Sequence, residues 1–160
     1  MVFALINIIQ GNDMKTKIFV DYEKDGYLAL WLGNTLSKES LLRYLEIDYG
    51  EDDEDDLDID DIYAVDFEMG RDFNIMWYDE DKLEFSHKGN MGSWDLLEGH
   101  SFTESILPCL KKDYQDVMNG TYNSVIILYD FQYDGHIKEV KNDQYGFFKY
   151  IGSFEYSDKL

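Results

Sequence analysis

"NSVIILYDFQY", running from Asn123 to Tyr133, is an apolar and aromatic run that reads as a β-strand. Asp134-Gly135 is a turn signal, and "HIKEV" (136–140) beyond it predicts a hairpin. "GFFKYIGSFEY" (146–156) adds an alternating strand, with Phe148, Tyr150, Phe154 and Tyr156 expected on one face. The C-terminal third is therefore predicted to be a three-strand antiparallel meander.

Toward the N-terminus the period changes. "SWDLLEGHSFTESILPCLKKDYQDVMNG" (93–120) carries helix signals, with Ser101 or Thr103 as cap and Asn119-Gly120 as stop. Pro108 falls in the first turn of a second helix or kinks one long helix. "NIMWYDEDKLEFSHK" (74–88) reads as extended chain, two short strands bent at the acidic centre, and "DDIYAVDFEMGRDF" (60–73) as a short helix ended by Gly70. In "NTLSKESLLRYLEIDY" (34–49), Leu41, Leu42, Leu45 and Tyr49 recur at helical spacing, with Ser37 as N-cap and Gly50 as stop. "KIFVDY" (17–22) and "YLALWLG" (27–33), joined through Asp25-Gly26, predict an N-terminal β-hairpin. The sum is an α+β domain with two to four helices and one mainly antiparallel sheet packed against them.

A chain of 160 residues with 44 % hydrophobic and 16 % aromatic content is one domain's worth with ample core formers. The domain is expected over residues 14–160. "MVFALINIIQGND" (1–13) is expected to be an extension ahead of a start at Met14, or an added strand; it is too short to span a bilayer. The lone Cys109 excludes an internal disulfide and multi-cysteine zinc sites, fits a reducing compartment and reads as a buried structural cysteine. The expected location is the cytoplasm.

The net charge of -20 is concentrated. Residues 44–84 hold eighteen acidic residues against Arg71 and Lys82, and nine of the eleven positions from Glu51 to Asp61 are acidic. Nucleic acid and anionic membranes are poor partners for such a surface, and a basic protein is a good one. An EF-hand is excluded by register. Counted from Asp56, loop positions 6 and 12 are Asp61 and Phe67; counted from Asp52 they are Leu57 and Tyr63. The run is then a solvated loop or a partner-facing segment.

"WYDEDKLE" (77–84) offers Asp79, Asp81 and Glu84 as Mg²⁺ ligands and an E-x-K fragment, a metal-dependent hydrolase reading that short fragments of a charge-rich chain also yield by chance. His87, His100 and His136 lack metal-ligand spacing and read as surface histidines. No nucleophile elbow, phosphate-cradling glycine loop or dinucleotide fingerprint is present. No catalytic residue, cofactor or metal ligand is assigned. A recognition surface fits better, because Trp77 and Tyr78 abut Asp79, Glu80 and Asp81, while Tyr44 and Tyr49 precede the acidic run. The same aromatics could equally form core. The expected partner-binding set is Tyr49, Asp52, Asp53, Asp55, Asp56, Asp58, Trp77, Tyr78, Asp79, Glu80, Asp81 and Glu84.

"LALWLGN" (28–34), "YLEIDYGEDDEDD" (44–56), "DFNIMWYDEDKLE" (72–84), "NSVIILYDFQYDG" (123–135) and "YIGSFEY" (150–156), in that order, resemble the Immunity protein 22 family of bacterial polymorphic toxin systems. The resemblance covers about residues 17–156; the density of acid in 51–61 and the first thirteen residues depart from it. It implies a non-enzymatic cytoplasmic protein that neutralises a cognate toxin, a basic nuclease being one such target. The rival expectations are a generic acidic protein-binding or nucleic-acid-mimicking module and, third, the metal-dependent hydrolase.

Overall fold

The computed structural model describes residues 2–10, 13–49 and 66–156. A five-stranded antiparallel sheet forms the centre, in the order β4-β5-β3-β7-β6. Its strands are β3 (Glu23–Thr35), β4 (Leu83–Gly92), β5 (Thr121–Phe131), β6 (Glu139–Asn142) and β7 (Gly146–Glu155). A separate antiparallel pair is made by β1 (Val2–Gln10) and β2 (Asp13–Asp21), so the N-terminal segment does supply a strand.

Helices cover both sheet faces, because β3 and β5 are apolar on both. On one face Ala29, Trp31, Ile126 and Leu128 meet α1 (Lys38–Leu45) and α2 (Glu68–Phe73) through Leu41, Tyr44, Met69 and Phe73. On the other, Leu28, Leu30, Leu32, Val125 and Ile127 meet α3 (Ser93–Leu97), α4 (Thr103–Asp113) and α5 (Gln115–Met118) through Leu96, Ile106, Leu110 and Met118. Trp31 is fully buried among Phe73, Phe131, Tyr133 and Tyr150, with ring centroids 5.2–6.4 Å away. Gly33, two residues on, lies where an added Cβ would come 2.7 Å from the Phe147 carbonyl, so the W-x-G spacing permits the close approach of β7.

Several expectations are corrected. The segments 17–22 and 27–33 are not a hairpin: β2 pairs with β1, while β3 enters the sheet between β5 and β7. Asp25-Gly26 lies instead in a bulge where the β3–β5 register jumps from Glu23↔Phe131 to Leu28↔Tyr129. Nor do 123–133 and 136–140 pair. Both edges of β5 are occupied by β3 and β4, so β6 turns back on β7.

A second bulge, where Leu30 faces Gly152 but Trp31 faces Tyr150, shifts the parity of β7. Phe148 and Tyr150 therefore join the core with Trp31, whereas Phe154 and Tyr156 point to the opposite face. Residues 74–88 supply one strand, not two; the acidic centre is a 3-10 turn, Glu80–Lys82.

Ser37 caps α1 as predicted, its Oγ accepting from the Ser40 N–H at 3.0 Å, but α1 ends at Leu45, short of Gly50, which lies outside the described residues. Gly70 is inside α2, where a Cβ would strike the Phe67 ring at 2.6 Å; Asn74, with φ 59°, ends the helix in the left-handed region that asparagine tolerates. Neither Ser101 nor Thr103 caps α4. Phe102 precedes it, and Pro108 sits mid-helix, leaving the Glu104 carbonyl without its usual N–H. Cys109 is exposed rather than buried, since this side of α4 faces away from the sheet.

Candidate partner-binding surface

Asp52, Asp53, Asp55, Asp56 and Asp58 lie outside the described residues, but both ends of their segment are fixed. Asp48 and Asp66 exchange backbone hydrogen bonds, N–H to carbonyl at 2.8 and 3.2 Å. Next to this closure Tyr49 accepts a hydrogen bond from the Trp77 indole N–H at 3.1 Å. Both rings pack partly buried against the core on the α1–α2 face. Tyr44 belongs to the core itself, stacked on Phe148 at 3.8 Å, with its hydroxyl donating to Asp72.

The neighbours Trp77 and Tyr78 both pack on this core, but to different depths. Tyr78 is only 1 % exposed and donates to the Leu45 carbonyl, so a partner cannot reach its ring. Burial, then the nearby charge of Glu80, raises its phenol far beyond the ordinary range. Asp79 caps the 3-10 turn, its Oδ1 accepting from the Asp81 N–H at 3.0 Å. The turn then holds Glu80 and Asp81 in solvent. Partial burial, followed by the charges of Asp81, Asp79 and Glu46, raises the Glu80 carboxyl above its usual range although a hydrogen bond with Tyr49 opposes the shift.

The turn borders a small pocket of about 190 Å³ lined by Glu23, Asp25, Asp79 and Asp130, with Lys82 among them. Asp130 has φ 52° and is held on three sides. It accepts from the Gly26 N–H at 3.0 Å and the Tyr156 hydroxyl at 2.9 Å, and pairs with the Lys82 ammonium at 3.2 Å. The Gly26 N–H, ahead of the hydroxyl and the lysine, keeps its carboxyl below the usual range. Burial, then Asp21, Asp79, Asp25 and Asp130, pushes Glu23 up. Crowded carboxylates of this kind repel one another and gain from a cationic partner. Glu23, Asp25 and Asp130 went unpredicted because they come from β3 and β5, about a hundred positions apart in the chain, and no local motif joins them.

Glu84, expected to face a partner, is engaged within the chain. Its carboxylate accepts from the Ser101 N–H at 2.9 Å, the Ser101 hydroxyl, the Tyr129 hydroxyl at 3.2 Å and His100 Nδ1 at 3.0 Å. His100 Nε2 in turn shares a hydrogen bond with Ser86 Oγ at 2.6 Å. His100 is therefore no surface histidine, with 11 % of its side chain exposed. Serine, histidine and acid stand in the order that nucleophilic triads use. Here the acid is shared with Ser101 and Tyr129, and the network ties β4 to the α3–α4 loop.

Burial opposes ionisation of Glu84, but the hydrogen bonds from Ser101, His100 and Tyr129 prevail and hold its carboxyl below the usual range. A depressed folded value means that the contribution is present above the unfolded carboxylate pKa and disappears as pH falls through the folded one. Glu84→Gln is expected to lose about 1–3 kcal/mol near neutral pH by leaving donors unmatched. In urea melts its gap from the parent should narrow toward pH 3; a constant gap would contradict the ionised role.

Among the described residues no group of three or more His, Cys, Asp or Glu side chains could hold a metal ion, and no helix is long and apolar enough to cross a membrane. His87 lies half-buried on β4 and His136 is exposed. The family model for Immunity protein 22 matches residues 28–157, from the first fully buried residue of β3 through the end of β7. No curated protein and no solved structure matches the chain.

Proposed function

The chain is a member of the Immunity protein 22 family, and on that premise we propose that it silences its cognate toxin by direct steric and electrostatic blockade. The toxin-neutralising role and the non-enzymatic character come with the family; the match over residues 28–157 is the observation that carries them. The charge of the toxin and the contact surface are inferred from this chain's own residues. Eighteen acids within 44–84, with Glu80 and Asp81 in solvent and Glu23 crowded by like charges, suit a basic partner. A nuclease with a cationic cleft is the reading favoured, the carboxylates standing in for nucleic-acid phosphates, and the cytoplasm is where such a toxin would have to be met. The hydrolase alternative loses Glu84, whose oxygens are already engaged by Ser101, His100 and Tyr129.

The test is co-expression with the toxin domain encoded beside this gene. The intact chain should restore growth and co-purify with that domain at equal stoichiometry. Continued killing despite soluble, folded protein would defeat the proposal.

A further inference from the structure

The aromatic side chains expected to anchor the partner are largely withdrawn, Tyr78 into the core and Trp77 onto Tyr49. An exposed aromatic stands nearby instead. Phe102 is 41 % exposed and adopts φ 59°, a left-handed conformation that bulky residues occupy only under constraint. Its ring leans on Tyr129 and Tyr156, with centroids at 5.9 and 5.2 Å, and forms one lip of a cleft of about 910 Å³ between α3 and α4. Trp94, Leu97 and Leu107 add apolar wall, while Asp95, Glu98 and Glu104 outnumber Lys111 around it.

Two tyrosines link the cleft to the acidic turn. Tyr129 lines the small pocket as well as supporting Phe102, and Tyr156 joins Phe102 to Asp130, which holds Lys82 of the turn. A concave apolar seat beside single-sign charge is the arrangement of an interface anchor with its rim.

We propose that the cleft bounded by Phe102 and Trp94 is the anchor of the toxin interface, and that it takes an apolar side chain carried on a lysine- or arginine-rich segment of the toxin domain. The inference rests on the immunity reading and adds to it the place and chemistry of the anchor. Phe102 supplies contact area, Asp95, Glu98 and Glu104 select a basic segment, and the turn at 79–81 steers the approach.

The test measures binding kinetics of the neighbouring-gene toxin domain, in a catalytically inactive form, to Phe102→Gly, Phe102→Asp and Trp94→Ala. Phe102→Gly is the informative variant, because glycine relieves the left-handed backbone while removing the ring. It should keep the parent's melting temperature and association rate but dissociate at least about tenfold faster, the loss expected on truncating an interface hot spot. Phe102→Asp should do the same or worse, and Trp94→Ala should follow. Parent-like dissociation in all three folded variants would overturn the anchor while leaving the immunity reading intact. So would a change confined to self-association in sedimentation, which would make the cleft a contact between copies of this chain. Failure of the unaltered chain to bind would remove both readings together.

Discussion

Trp31→Ala is expected to destabilise the domain by about 3–5 kcal/mol, as measured by urea denaturation, and to leave little folded protein at elevated temperature. The residue is fully buried at the centre of β3 and touches rings from α2, β5, the segment after β5 and β7. No neighbour can collapse into the space, because each ring is also held by another element. Phe73 packs against Tyr133, and Tyr133 against both Tyr22 and Tyr150. The indole N–H has no hydrogen-bond partner, so its removal leaves no polar group stranded and the cost is one of cavity and lost contact. Trp31→Phe keeps most of the apolar area and should cost far less. A loss below about 1 kcal/mol for the alanine variant would mean that the ring cluster repacks, contrary to this account.

Replacing Glu80 and Asp81 together by lysine is expected to slow association with the toxin domain by about tenfold to a hundredfold at low ionic strength. The same change should flatten the salt dependence of the association rate while leaving dissociation nearly unaltered. Both side chains stand in solvent, and Asp79 is left in place so that its cap on the turn survives. Stability should change little, because burial and the charges of Asp81, Asp79 and Glu46 disfavour an ionised Glu80 in the parent, while its hydrogen bond with Tyr49 is lost in the variant. Burial and those like charges raise the Glu80 carboxyl, whereas a basic partner favours its ionised form. Association by the parent should therefore weaken as pH falls through that raised range. Parent-like kinetics for the double variant would show that the toxin approaches from elsewhere.

Most of the secondary structure was legible in the sequence and most of the strand pairing was not. β3 and β5 announce themselves by apolar runs, and Ser37 marks its helix because capping is a local interaction. Pairing is settled by competition among strands. Asp25-Gly26 and Asp134-Gly135 have hairpin-like composition, yet the runs they join are kept apart because β3 and β5 each already have two strand neighbours.

The candidate surface divides in the same way. Asp79, Glu80 and Asp81 are adjacent in the chain and can be read as one cluster from it; Glu23, Asp25 and Asp130 converge only through the sheet register. Glu84 resembled its acidic neighbours, and only the fold brings His100, Ser101 and Tyr129 around it. Phe102 sits in an unremarkable sequence context, and its exposure depends on the left-handed backbone that opens α4.

The backbone exchange between Asp48 and Asp66 has an evolutionary consequence. It joins the chain after α1 to the chain before α2 through main-chain atoms alone. The entropy of closing a chain between two such ends grows slowly, by about 0.6 kcal/mol for each doubling in length. Because the bridge is made by backbone atoms, Asp48 and Asp66 can give way to other residues without loss of it, and differing side chains at these two positions are the expected mark of divergence among relatives.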